Sequence, residues 1–210
     1  MKTLLRDNGL TIALLAMFLV SAGGMLLTGQ AAYNAELAGH GEPVLGLAAY
    51  LASGDFLSAL FENWESEFLQ MAAYVVLTAM LFQRGSAESR DPDDPEKAGD
   101  DLPWQDRYPV LAWLYGHSLG LALAALFIAS FLLHWGFSWR AASAEAMRHG
   151  EAVPSLGAYL LDSRLWFESF QNWQSEFLST AVLVVLSIFL RQKGSPESKP
   201  LSAADAETGD

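Results

Sequence analysis

The sequence predicts an all-α integral membrane protein, a four-helix bundle built from two parallel tandem repeats of a helical hairpin, each with a short interfacial helix. Three observations lead there. Four apolar runs, Leu10–Leu27, Phe68–Phe82, Pro109–Leu133 and Phe177–Leu190, contain no Lys, Arg, Asp or Glu. The segment Phe61-Glu62-Asn63-Trp64-Glu65-Ser66-Glu67-Phe68-Leu69 returns 109 residues later as Phe170-Gln171-Asn172-Trp173-Gln174-Ser175-Glu176-Phe177-Leu178. Lys and Arg gather in alternate connections, as they do in multi-span membrane proteins.

The first and third runs are long enough for membrane helices, since about 20 residues cross a hydrocarbon layer of ~30 Å. The second and fourth are short. They become full spans only if their helices extend backwards through Glu67 and Asn63, and through Glu176 and Asn172. Each first helix should continue past the apolar run to His40 or His149, where Gly41 or Gly150 supplies a left-handed stop. An interfacial helix is expected around Leu45–Ala52. Each second long helix should open near Asp55, or at Asp162-Ser163, with these residues as N-caps, and end at Gly85 or Gly194.

The 109-residue offset also maps His40-Gly41-Glu42 onto His149-Gly150-Glu151, and Gln83-Arg84-Gly85-Ser86 onto Gln192-Lys193-Gly194-Ser195. Roughly four positions in ten coincide across the units, too many for unrelated segments. With two spans per unit the copies share one orientation, about an axis along the membrane normal. The expected organisation is 1–85 as the first unit, 86–106 as a disordered acidic linker, 107–194 as the second unit and 195–210 as a disordered tail. The linker contains Asp91-Pro92-Asp93-Asp94-Pro95-Glu96, a composition that cannot bury enough apolar surface to fold.

Orientation follows from the cations. Lys2 and Arg6 precede the first run, Arg84, Arg90, Lys97 and Arg107 separate the second from the third, and Arg191, Lys193 and Lys199 follow the fourth. Residues 30–60 contain no Lys or Arg, whereas the second outer loop carries Arg140, Arg148 and Arg164. The bias places both termini and the linker in the cytoplasm. An N-terminal run after two cations resembles a secretory signal, but the first run aligns with the internal third, so the reading is a retained span.

Of 210 residues, 52% are hydrophobic and 17% charged, with a net charge of −12; this acidity disfavours nucleic acid as a partner. The lack of cysteine removes disulfides, thiol nucleophiles and Cys-ligated cofactors. No nucleophile constellation or phosphate-cradling Gly loop is visible, so the expectation is no enzyme, no catalytic residue and no cofactor.

The doubled Asn-Trp-x-Ser-Glu-Phe motif, followed in each unit by Gly-Ser-x-Glu-Ser, resembles an uncharacterised bacterial family of small four-span membrane proteins. The resemblance covers nearly the whole chain outside the linker and tail. It implies a protein of the bacterial inner (plasma) membrane, and it supplies no activity or site residue.

Two residue sets are candidates for chemistry. At helical spacing Asn63, Glu67, Gln70, Tyr74 and Thr78 share one face, and Asn172, Glu176, Ser179 and Ser187 repeat it, with Leu183 breaking the line. Glu67 stands 15 residues from the inner end of its run, about 22 Å of helical rise, which is outer-leaflet depth. The face reads first as an interhelical hydrogen-bond seam and second as a proton or ion path. Glu36 and His40, repeated as Glu145 and His149, have ligand types suited to zinc or manganese. Without a His-Glu-x-x-His spacing they read first as helix-end pairs, with no metal. His134 aligns with Met25, and His117 with Asn8; each unduplicated histidine reads as a satisfied interface residue. Gly116, Gly120 and Ala124 form a small-residue ridge for close packing. The overall expectation is a structural or accessory component, with lipid, a second copy or further proteins as partners. The alternative is a small transporter or channel using the paired glutamates.

Overall fold

The computed structural model describes residues 2–94 and 100–209. The described residues form seven α-helices and no strand: α1 (Lys2–Gly39), α2 (Leu47–Leu51), α3 (Gly54–Met80), α4 (Pro109–Gly116), α5 (Ser118–His149), α6 (Leu156–Tyr159) and α7 (Ser163–Phe189). Both bounds of α7 lie 109 residues after those of α3. The same offset relates the non-helical Asn8 inside α1 to His117, where α4 gives way to α5. The third apolar run is therefore broken at His117 instead of forming one helix.

Two helices are long and apolar enough to cross a membrane by length and composition, Thr3–Gly39 and Ser118–His149. At 27 residues each, α3 and α7 have the length, about 40 Å. Their N-terminal halves are too polar to meet the same standard, because Glu62, Glu65 and Glu67, or Glu168 and Glu176, lie on them.

The chain divides into two compact units, the first comprising residues 1–60 and 136–154. Here α1 ends where Gly41 turns left-handed (φ 72°), and the Glu42 N–H reaches back to the Leu37 carbonyl at 2.9 Å. Gly150 (φ 69°) and the Glu151–Ala146 bond at 2.8 Å terminate α5 in the same way. Asn34 ties the following loop to α1, donating to the Leu45 carbonyl at 2.9 Å and accepting from the Leu45 N–H at 2.7 Å. Tyr50, on α2, is buried with its hydroxyl 3.3 Å from Asp55 Oδ2. Burial, then the adjacent Asp55 carboxylate, pushes the phenol up to about 12. Ser53, rather than Asp55, caps α3, accepting from the Phe56 N–H at 3.1 Å, while Asp162 caps α7 as expected, at 2.8 Å from the Arg164 N–H. Gly54 permits a close helix approach: a Cβ there would stand 2.7 Å from the Ala141 nitrogen.

The second unit comprises residues 61–135 and 155–210. Its most deeply buried side chains include Tyr159, Leu165, Ser169, His134 and Glu65. Trp166 and Trp173 meet edge to face at 6.4 Å, with Phe131 and Phe127 against them. The long helices α3 and α7 end at Met80 and Phe189, short of the expected Gly85 and Gly194, and the repeated Gly-Ser-x-Glu-Ser motif forms a turn beyond each helix end. Ser89 Oγ accepts from the Gln83 N–H and Ser198 Oγ from the Gln192 N–H, both at 2.8 Å, around Gly85 (φ 86°) and Gly194 (φ 83°).

Parts of the linker and of the tail make specific contacts where they are described. In the linker, residues 95–99 lie outside the described residues, but Ser86 is fully buried and shares a hydrogen bond with Ser187 at 2.8 Å. In the tail, Thr208 Oγ1 accepts from the Gly85 N–H at 2.8 Å. Lys199 donates to the carbonyls of Ala204, Asp205 and Glu207 at 2.8–3.1 Å. These contacts are made by backbone carbonyls and hydroxyls, not by apolar area.

Candidate functional site

The N-terminal halves of α3 and α7 and the adjoining part of α5 bring Glu62, Glu65, His134 and Glu168 together within the second unit. On α3, Glu62, Glu65 and Ser66 turn inward, Glu65 and Ser66 standing three and four residues after Glu62, the spacing that marks one helix face. On α7 the matching positions are Leu165, Ser169 and Asn172, and on α5 they are Ser130 and His134. Small serines let the helices approach closely enough for longer side chains to meet between them.

His134 sits at the middle of the cluster with no exposed surface, and Glu65 is likewise fully buried. The imidazole Nδ1 lies 2.7 Å from Glu65 Oε2 and the Nε2 lies 3.2 Å from Glu168 Oε2. The second oxygen of Glu65 accepts from the Trp173 indole N–H at 2.9 Å. The second oxygen of Glu168 accepts from Arg164 Nε at 3.1 Å, an i, i+4 ion pair. Glu62 accepts from the Asn172 amide. One donor atom from each of Glu62, His134 and Glu168 lies within 4.8 Å of the others. A buried carboxylate is tolerated only when its lone pairs are met by donors, and each oxygen of Glu65 has one.

The residues of the seam predicted from the repeat are spread more loosely. Glu67, Asn63 and Ser179 are exposed, and Glu176 is partly exposed and near enough to Glu67 to feel its charge. Ser179 donates to the Glu176 carbonyl of its own helix. Gln70 does bridge α3 to α7, through Thr180 Oγ1 at 2.7 Å, and Asn172 bonds Glu62 as noted. Gln70, Tyr74, Thr78 and Glu88 line a cavity of about 390 Å³ that does not include Glu67 or Glu176. At its inner end Tyr74 donates to Glu88 at 2.7 Å. Burial and the nearby Glu197 carboxylate hold the Glu88 carboxyl above its ordinary value, against the opposing pull of the Tyr74 hydrogen bond.

The second candidate set lies in the first unit. His40 and His149 stack edge to face at 6.1 Å. The His40 Nδ1 contacts the Glu36 backbone carbonyl at 2.9 Å, not its carboxylate, which instead faces Arg148 at 3.8 Å. Glu145 is on the same helix, one turn before His149.

The sequence reads His134 as a satisfied interface residue and singles out none of Glu62, Glu65 and Glu168, because each of the four lacks a matching residue in the other unit. At the 109-residue offset their counterparts are Met25, Gln171, Gln174 and Ala59. That is itself the signal that could have found them: charge changes between otherwise similar copies converge on one place.

The whole chain, residues 1–210, matches a family described as a domain of unknown function (DUF6766). No match is found among curated proteins or among solved structures.

Proposed function

We propose that this chain, which belongs to the DUF6766 family, is a four-span protein of the bacterial plasma membrane, with both termini in the cytoplasm and a structural or accessory role. The observation that carries the reading is the apolar surface of α1 and α5. No residue in the most apolar stretch of α1 is buried, and only 17% of those in the most apolar stretch of α5 are. Leu10 and Val20 expose about three quarters of their surface, at 76% and 75%. An aqueous surface rarely carries apolar patches of more than a few hundred Å², whereas lipid covers such helices without cost. In this reading α3 and α7 are the other two spans, the 109-residue repeat relates the two hairpins, and the polar outer turns meet one another instead of lipid.

The accessory reading is preferred to transport through Glu67 and Glu176, because neither lines the cavity along α3 and α7. Its test uses the absence of native cysteine. In whole cells, Cys introduced at position 40 or 149 should react with an impermeant maleimide, and Cys at position 90 or 205 only after the membrane is opened. Labelling of position 40 only in opened cells overturns the topology.

A further inference from the structure

We propose that Glu62, His134 and Glu168 bind a divalent first-row transition metal ion, with Glu65 orienting the imidazole. Spacing is the first support. Neighbouring ligands on a four-coordinate ion with bonds of about 2.1 Å stand roughly 3.4 Å apart. His134 Nε2 and Glu168 Oε2 already lie 3.2 Å apart, and the Glu62 oxygen is within 4.8 Å of both. Closing on an ion requires Glu62 to move by no more than about 1.5 Å.

The second support is the order of contacts behind the ring. A ligating histidine characteristically donates its other N–H to a carboxylate, which sets the tautomer and aims the lone pair. Glu65 does this at Nδ1 from a fully buried position, and is itself held by the Trp173 indole. Nε2 is left on the side of Glu168 and Glu62.

Charge supplies the third. Glu62, Glu65 and Glu168 contribute three negative charges, of which Arg164 offsets one through Glu168. With the imidazole neutral, the two that remain equal the charge of a divalent ion. One nitrogen and two carboxylates, with no sulfur, suit zinc, manganese or ferrous iron better than a cuprous ion. Three protein ligands leave coordination open to water, unlike a closed four-ligand structural site. The Glu168 side chain is 19% exposed while those of His134 and Glu65 are not exposed at all, so the approach runs past Glu168.

The test is binding of cobalt(II), alone, to the full chain purified in detergent and stripped with chelator. The wild type should bind one ion per chain with visible d–d absorption. Glu62→Gln and Glu168→Gln should each weaken binding at least tenfold, and Glu65→Gln by about 10–100-fold. Gln at 62 and 65 matches the residues at 171 and 174, so helix geometry is preserved; a cooperative thermal melt confirms folding of each variant. Glu67→Gln should bind as the wild type does. Absence of cobalt binding by the folded wild type, or wild-type affinity in both Glu62→Gln and Glu168→Gln, overturns the site and leaves the topology untouched.

Discussion

Two sets of acids on the same helices met opposite fates. Glu67 and Glu176, each present in both copies of the motif, remain wholly or partly exposed. Glu62, Glu65 and Glu168 are opposed by Gln171, Gln174 and Ala59 at the 109-residue offset, and they surround a buried histidine. The physical reason is complementarity. Glu176 lies near enough to Glu67 to feel its charge, and like charges at close range repel. A buried carboxylate instead needs donors: an indole, an imidazole, an amide. Supplying them requires the two copies to differ. Trp173 and Asn172 are the retained residues that serve this purpose, while Trp64 and Asn63 occupy the corresponding places on α3.

The comparison can be broken most severely at His134. His134→Leu should destabilise the protein by about 3–5 kcal/mol in a detergent thermal or chemical denaturation series, because Glu65 is left buried with one partner fewer. A loss under 1 kcal/mol would mean that Glu65 is solvated and the centre is not a buried one. Trp173→Phe retains the ring but removes the N–H to Glu65, and should cost about 1–3 kcal/mol. Trp64→Phe, its counterpart, should cost less, and equal losses would erase the distinction between the copies.

Glu88 sharpens the contrast through pH. Its folded carboxyl titrates above the ordinary value, so it adds stability below the unfolded pKa, and that contribution is lost as pH rises through the folded one. Glu88→Gln should therefore raise the melting temperature near neutral pH and leave it unchanged in acid, around pH 4. A lower melting temperature at neutral pH would show that the ionised carboxylate is favoured there. The smallest effects are expected at the duplicated pair. Glu67→Gln and Glu176→Gln should each stay within about 0.5 kcal/mol of wild type, as exposed substitutions usually do, and produce no change in proton flux in proteoliposomes. A wild-type flux lost in both variants would restore the pathway reading to the duplicated face.

Local signals were legible from the chain alone. Gly41, Gly150, Gly85 and Gly194 all adopt positive φ, because only a residue without Cβ takes that conformation freely; the first two end their helices as expected, whereas α3 and α7 end at Met80 and Phe189, short of the other two. Cap positions were legible to within two residues: Ser53 took the place of Asp55, since a hydroxyl one step before the helix reaches the Phe56 N–H. The contacts of the tail were not legible, because Lys199 and Thr208 meet particular carbonyls and amides, and composition does not specify partners.

The amino-acid sequence by itself determined the helical periods, the apolar runs, the stops and the near-identity of two segments 109 residues apart, since each depends on neighbours along the chain. Only the tertiary structure decided which acids are buried. Helix periodicity gives each of Glu62, Glu65 and Glu67 a face, but which face is inside depends on where α5 and α7 lie. The distance from His134 to Glu65 spans 69 residues of chain, and no local rule acts over that separation.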